Sequence, residues 1–107
     1  MEINIPGLLR IKPNAINKIG KYLRKAGFFR VALYFGEGMK ELVGEKIAIS
    51  LESSEIRTAH EETVRDNLVE EVLTSAFKLP QKTHAIVAVG GGKAIDAAKY
   101  AAFLQHI

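Results

Sequence analysis

The stretch "VAVGGGKAIDAAKYAA", residues 87–102, joins the end of an apolar run to three consecutive glycines and an alanine-rich helical pattern. Gly90, Gly91 and Gly92 have no side chains, so their amide groups can be directed at one point where a helix begins. The free amides of a first helical turn and the positive end of the helix dipole favour an anion at such a point. The stretch therefore predicts a phosphate or pyrophosphate site, to which Lys93 adds a positive charge.

Asp96 follows the glycines closely, and we expect it in the first turn of this helix. A carboxylate there would repel a phosphate beside it, so with an anion bound Asp96 is expected to point toward hydroxyl or amide donors elsewhere on the ligand. The alternative is a structural acid that interacts with the helix dipole alone. Five alanines downstream share one helix face and predict close packing on neighbouring elements: Ala94, Ala97, Ala98, Ala101 and Ala102.

The rest of the chain alternates strand and helix patterns. The apolar runs "VALYF" (31–35) and "AIVAV" (85–89) predict strands covered on both faces, and residues 56–59 predict a weaker strand. Helices are predicted from Pro13, over residues 39–47 with Leu42 on the apolar face, from an N-cap at Thr63 to Pro80 with Val64 on the apolar face, and over about 93–105. "INIPGLLRIKP" predicts a short N-terminal strand pair that caps the fold. The predicted fold class is α/β, a doubly wound, mostly parallel sheet with helices on both faces.

A second glycine turn, "FGEGMKEL", follows the first apolar strand. Gly36 and Gly38 match the start of a G-x-G-x-x-G dinucleotide fingerprint, but Glu41 occupies the third glycine position. Ligands of open parallel sheets bind beyond the carboxyl ends of the strands. Gly36 and Glu37 are therefore candidate cofactor-binding residues as well.

Composition limits the partners. The 107 residues carry a net charge of +3, and the largest basic excess lies in residues 1–40, mostly on the polar face of a helix with no interleaved aromatic stacking platform. This layout disfavours nucleic acid as a partner. With no cysteine, no signal-peptide pattern and no apolar run near the roughly 20 residues of a membrane span, we expect a soluble, cytoplasmic domain with no membrane partner.

The chain offers no complete catalytic set. His60, His84 and His106 are scattered without the spacing of metal ligands, so no metal site is predicted. The serines lie away from both glycine turns, which excludes a paired nucleophile and base there. No catalytic residue is predicted in these 107 residues.

The segment "VGGGKAIDAAKYAA" resembles the GGG-[SK]-x-x-D-x-A-K motif of the iron-containing alcohol dehydrogenase and glycerol dehydrogenase superfamily. The likeness extends through "INKIGKYLRKAGFFRVALYFGEGM" to essentially the whole chain, and is strongest toward the glycerol-1-phosphate dehydrogenase branch. It implies a dehydroquinate synthase-like amino-terminal fold, with residues 1–107 forming a nucleotide-cofactor-binding domain that is truncated before the catalytic metal-binding domain.

The resemblance also implies roles. NAD or NADP would bind with its pyrophosphate on Gly90, Gly91 and Gly92; Lys93, Ala94, Ile95 and Asp96 would complete the loop, with Asp96 near the nicotinamide ribose. The enzyme would be a homo-oligomer that transfers hydride between this cofactor and glycerol, glycerol-1-phosphate, dihydroxyacetone phosphate or a related polyol. Its Zn, Fe or Ni would lie in a helical domain outside this chain, so the fragment alone is expected to be inactive.

The cofactor preference and the class of protein stay open. Family members commonly place an acid at the end of the first apolar strand to recognise the adenine ribose, whereas this chain has Gly36 followed by Glu37, so the choice between NAD and NADP is undecided. A dehydroquinate synthase-like lyase usually has a glycine where this chain has Ile95, which disfavours that class. A non-catalytic α/β regulatory or interaction module, in which the glycines are only turns, is the third alternative.

Overall fold

The computed structural model describes residues 2–5, 8–10, 13–65 and 82–105. This part of the chain combines a mostly parallel sheet with helices, which confirms the predicted α/β class. The elements are β1 (Glu2–Ile5), β2 (Leu8–Arg10), a 3-10 helix (Pro13–Lys18), α1 (Ile19–Lys25), β3 (Arg30–Gly36), α2 (Met39–Ser53), β4 (Arg57–Val64), β5 (Ala85–Val89) and α3 (Gly92–Gln105). None of the helices in these residues has the length and apolar character needed to span a bilayer.

The five strands form one sheet in the order β1-β2-β5-β3-β4. β2, β5, β3 and β4 are mutually parallel, and β1 pairs with β2 in the antiparallel sense. β5 lies at the centre, where Val87 is level with Leu9 on one side and Leu33 on the other. The predicted N-terminal strand pair is confirmed by β1 and β2, and β2 also extends the parallel sheet beside β5.

The two faces of the sheet carry different cores because strand side chains alternate in direction. On one face, Val31, Leu33 and Phe35 of β3 pack with α1 and α2. On the other face, Ala32 and Tyr34 pack with the alanines of α3. Helices on both faces are the doubly wound arrangement that was predicted.

The second helix differs from its predicted pattern. α2 continues to Ser53, well beyond residue 47, and its sheet-facing positions include Val43, Ile47 and Leu51. Leu42 was predicted on the apolar face, but it is 73% exposed. The prediction was wrong because the buried stripe follows steps of four residues from Val43, which turns Leu42 toward solvent.

Two further elements differ from their predicted bounds. The strand predicted over residues 56–59 extends to Val64 as β4, and the helix predicted from Pro13 begins as a 3-10 helix. Thr63 and Val64 were predicted to open a helix, but both lie in β4, and Val64 is buried. β4 extends to Val64 because it pairs with β3 along the full length of that strand. These backbone hydrogen bonds outweigh the weak strand preference of its polar residues. The helix predicted to end at Pro80 lies outside the described residues. The helix predicted from Pro13 starts as 3-10 turns and becomes α-helical only at Ile19.

Candidate functional site

The two glycine turns follow β3 and β5, which are neighbours at the centre of the sheet. The helix after β3 packs on one face of the sheet, and the helix after β5 packs on the other. The chain therefore leaves these adjacent strands in opposite directions, which opens a crevice at their carboxyl ends. Ligands of doubly wound sheets bind at such a switch point.

The turns touch each other at Gly90. Its φ is +132°, a conformation that residues with a side chain rarely adopt. A Cβ built on Gly90 would lie 3.2 Å from the Cα and backbone nitrogen of Gly36, and 3.2 Å from Cγ of Met39. Glycine at position 90 is therefore required by the fold itself, because it lets the β5 turn approach the end of β3.

The next two glycines meet different surroundings. A Cβ on Gly91 or Gly92 would find no atom within 4 Å, so the space above them is open. The amide of Ile95 donates to the carbonyl of Gly91 at 3.2 Å, and in an α-helix the amides before that first donor have no intrahelical acceptor. The amides of Gly92, Lys93 and Ala94 thus belong to a helix start that can accept an anion.

The start of α3 is held firmly against the sheet. Ala94 and Ile95 are buried in the same core as Tyr34 of β3 and Ala88 of β5. The first turn of α3 contains no acidic residue, so no carboxylate competes with an anion there. The remaining predicted alanines, Ala97, Ala98, Ala101 and Ala102, are all buried, as their spacing indicated.

The two turns line one open cleft with a volume of about 260 Å³. This volume is smaller than that of the pockets that enclose whole drug-sized ligands, so the cleft has room for only part of a dinucleotide. Its lining combines both glycine turns with the end of β4: Gly36, Glu37, Met39, Val64, Arg65, Gly91, Gly92, Lys93 and Ala94. The structure thus brings the predicted glycine turns together.

The sequence reading missed the contribution of β4. Val64 pairs with Gly36, so Arg65 stands level with Glu37 one position beyond the paired residues. Both side chains line the cleft and are exposed. A basic residue at the carboxyl end of a parallel strand is the sequence signal that indicates Arg65. The prediction of a helix from Thr63 hid this signal, because it placed position 65 inside that helix.

Asp96 departs from the expected position. α3 begins at Gly92, which makes Asp96 the fifth helical residue, so the prediction that it lies in the first turn was wrong. Its side chain is exposed and is not part of the cleft lining. The expectation that the carboxylate points away from a bound anion stays a prediction.

A separate ion pair braces the same end of the molecule. Nζ of Lys40, at the start of α2, lies 2.5 Å from a carboxylate oxygen of Glu61 in β4. The hydrogen bond and the charge of Glu61 raise the pKa of Lys40 above its ordinary value. Lys40 is therefore engaged with β4. By contrast, within the described parts of the chain, Glu37, Arg65 and Lys93 form no ion pair.

The histidines have structural partners. Nε2 of His60 lies 3.2 Å from a carboxylate oxygen of Glu62, and Nδ1 of His84 accepts hydrogen bonds from the amides of Phe29 and Arg30 at 3.1 and 3.3 Å. His106 lies outside the described residues. Among residues 2–5, 8–10, 13–65 and 82–105, no three or more His, Cys, Asp or Glu side chains are grouped so that they could hold a metal ion.

A glycine-lined cleft at a helix start suits a dinucleotide, and the chain is similar to dinucleotide-dependent enzymes. Residues 10–107 match the family model described as iron-containing alcohol dehydrogenase. The whole chain is 24% identical to a glycerol-1-phosphate dehydrogenase from Thermofilum pendens, whose name gives NAD(P)+ as its cofactor, and covers 30% of that protein.

Two solved structures share the fold. An NADH-dependent butanol dehydrogenase A from Thermotoga maritima is 28% identical with a TM-score of 0.67, and the match covers 95% of this chain and 27% of that one. A glycerol dehydrogenase from Schizosaccharomyces pombe is 21% identical with a TM-score of 0.73, and the match covers 100% of this chain and 28% of that one. The chain thus spans less than a third of the length of each relative. The family match and the fold agree, and the chain belongs to the iron-containing alcohol dehydrogenase family.

Proposed function

We propose that this chain is the cofactor-binding portion of a metal-dependent, NAD(P)-linked dehydrogenase. The whole enzyme would transfer hydride between the nicotinamide ring and glycerol, glycerol-1-phosphate, dihydroxyacetone phosphate or a related polyol. One observation carries the proposal: the glycine turn after β5 opens the start of α3 into the crevice beside Gly36. The relatives named above, all dehydrogenases, support the reaction class.

In the proposal the pyrophosphate lies against the start of α3. The amides of Gly92, Lys93 and Ala94 donate to its oxygens, and the open space over Gly91 leaves room for close approach. The ammonium group of Lys93 adds a charge that a bound phosphate would pair with. Ala94 and Ile95 act indirectly, because their burial fixes the helix start relative to the sheet.

The rest of the dinucleotide extends to both sides. Gly36 and Glu37, at the end of β3, would lie beside the adenine ribose, as the acid after a neighbouring strand does in doubly wound dinucleotide sheets. Asp96, exposed on α3 outside the cleft, would face the nicotinamide ribose and accept a hydrogen bond from a hydroxyl. These two assignments place the acidic groups on hydroxyls and away from the phosphates.

Metal and substrate belong to the whole enzyme in this proposal. The described residues contain no fitting cluster for Zn, Fe or Ni, which would polarise the substrate oxygen as a Lewis acid. The chain alone would therefore bind cofactor without turning over an alcohol. A homo-oligomeric state, a cytoplasmic location and the absence of nucleic-acid and membrane partners are part of the same proposal.

Titration of the 107-residue chain with NADH, followed by cofactor fluorescence and calorimetry, tests the binding step. We expect saturable binding that inorganic phosphate weakens by competition. Lys93→Gln should lower the affinity, because it removes a charge beside the phosphate, whereas Lys99→Gln is a matched control on an exposed position of the same helix.

Circular dichroism keeps the test decisive. A chain with the α/β spectrum that binds neither NADH nor phosphate would contradict the proposal and favour a non-catalytic module. Equal losses in the Lys93 and Lys99 variants would show that binding follows overall charge and not the start of α3.

A further inference from the structure

We propose that Arg65 recognises the 2′-phosphate that only NADP carries, and that it thereby sets the choice between NAD and NADP beside Glu37, the acid already proposed at the adenine ribose. This inference rests on the proposed function, since it concerns the adenosine end of the same cleft. It assigns a role to a residue that no sequence pattern singled out.

The sheet order determines which part of a dinucleotide reaches Arg65. β5 and β4 flank β3 on opposite sides, and neighbouring strands are roughly 4.8 Å apart. In this order, a pyrophosphate bound at the start of α3 lies beside the end of β5. The adenosine attached to it would extend across the end of β3 at Gly36 and then reach the end of β4. Arg65 stands there, one position beyond the Gly36–Val64 pair.

The chemistry of the two side chains is complementary to the two cofactors. A carboxylate such as Glu37 accepts hydrogen bonds from the free ribose hydroxyls of NAD, and it repels a 2′-phosphate. A guanidinium such as Arg65 offers paired donors that match phosphate oxygens, and it offsets that repulsion. The pair standing side by side therefore accommodates both cofactors, each through a different residue.

The existing contacts leave both groups available. In the parts of the chain that the structure describes, neither Glu37 nor Arg65 has an ion pair or a side-chain hydrogen bond. Both line the cleft and both are exposed. Binding a 2′-phosphate at Arg65 thus breaks no contact among these residues, in contrast to Lys40, which is already paired with Glu61.

The test compares dissociation constants of NADH and NADPH for the wild-type chain, Arg65→Gln, Glu37→Gln and Arg57→Gln. Arg57 is the matched control, because it is an exposed arginine at the opposite end of the same strand. We expect Arg65→Gln to weaken NADPH by about tenfold or more and NADH by much less, since one charged hydrogen-bonded contact is lost. Glu37→Gln should shift the preference toward NADPH, and Arg57→Gln should leave the NADPH to NADH ratio unchanged.

Other outcomes overturn the inference. Equal weakening of both cofactors by Arg65→Gln would mean that the guanidinium acts on a part that the two share. An effect no larger than that of Arg57→Gln would mean that only the overall charge matters. If the folded wild-type chain binds neither cofactor, the proposed function itself fails, and that result is distinct because it does not depend on any Arg65 variant.

Discussion

Gly90 and Gly91 are adjacent residues that the structure uses for different purposes. Gly90 combines a positive φ with a backbone contact to Gly36. Gly91 has neither, and a side chain there would project into the open cleft. One glycine is therefore required by the fold, and the other is available to a ligand.

We expect Gly90→Ala to lower the free energy of unfolding by at least about 2 kcal/mol, because the new methyl group meets Gly36 in a strained backbone conformation. Urea unfolding followed by circular dichroism measures this. Gly91→Ala is the matched variant, and it should change stability by no more than about 0.5 kcal/mol.

For cofactor affinity, in contrast to stability, we expect a clear loss in the Gly91 variant. Gly91→Ala is expected to weaken NADH by about tenfold or more, since its methyl group keeps a phosphate from at least one amide donor. A Gly91 variant that is as unstable as the Gly90 variant, or that binds NADH as the wild type does, would contradict this division between the two glycines.

At the scale of elements, α1 and α2 approach each other closely at Gly20. A Cβ on Gly20 would lie 2.1 Å from the backbone oxygen of Ser50 and 2.7 Å from Oγ of Ser54. The amide of Gly20 donates to Oγ of Ser50 at 3.0 Å, and that hydroxyl donates to the carbonyl of Asn17 at 3.2 Å. The serine thus joins the two helices through backbone groups, which only a glycine at position 20 permits.

Gly20→Ala should therefore destabilise the chain by about 3 kcal/mol or more, because the helices must separate and a buried hydrogen bond is lost. Gly44→Ala is the control within α2. Its methyl group would approach only the flexible side chain of Lys40, at 3.3 Å from Cγ, so the better helix propensity of alanine should raise stability by up to about 1 kcal/mol. Thermal unfolding distinguishes the two, and similar losses in both would mean that the close packing at Gly20 is not decisive.

The ion pair between α2 and β4 predicts a specific pH dependence. The pKa of Lys40 is raised above 10.5 by Glu61, so the folded state holds this proton more tightly than the unfolded state does. Its stabilisation is present below the ordinary pKa and is lost as the pH rises through the raised value. We expect the difference in urea midpoint between the wild type and Lys40→Gln to be small, to persist at neutral pH and to vanish in strong alkali. A difference that does not depend on pH would indicate lost packing of the lysine stem instead.

At the scale of the whole molecule, the cleft joins segments that are distant in sequence. Its lining comes from the ends of β3, β4 and β5, so it exists only when the sheet is assembled. A ligand that binds there binds the folded chain and not the unfolded chain. Stability and cofactor binding must therefore be linked.

NADH at 100 times its dissociation constant should raise the free energy of unfolding by about 2.7 kcal/mol, as mass action requires for one site on the folded state. Thermal unfolding with and without cofactor measures the shift. Gly91→Ala at the same NADH concentration should show a smaller shift. An unchanged wild-type transition at saturating NADH would show that the cofactor does not bind at a site formed by folding.

The glycine turn, the two buried strands and the α/β class could be predicted from sequence because each rests on a strong local signal. Continuous apolar runs indicate covered strands, and three glycines before an alanine-rich pattern indicate a helix start. Leu42 and Val64 were misplaced for a common reason. Their surroundings depend on which neighbour an element packs against, and a local polarity pattern does not contain that information.

The sequence by itself determined that α3 begins at residues without side chains, because this feature depends only on glycines and alanines that lie within a few residues of one another. Only the tertiary structure decided that Gly90 contacts Gly36 and that Arg65 completes the cleft. It also decided that Asp96 lies beyond the first turn of α3. The physical reason is that strand order and register bring together backbone ends that are far apart in the chain, and those long-range pairings fix where each side chain of the cleft stands.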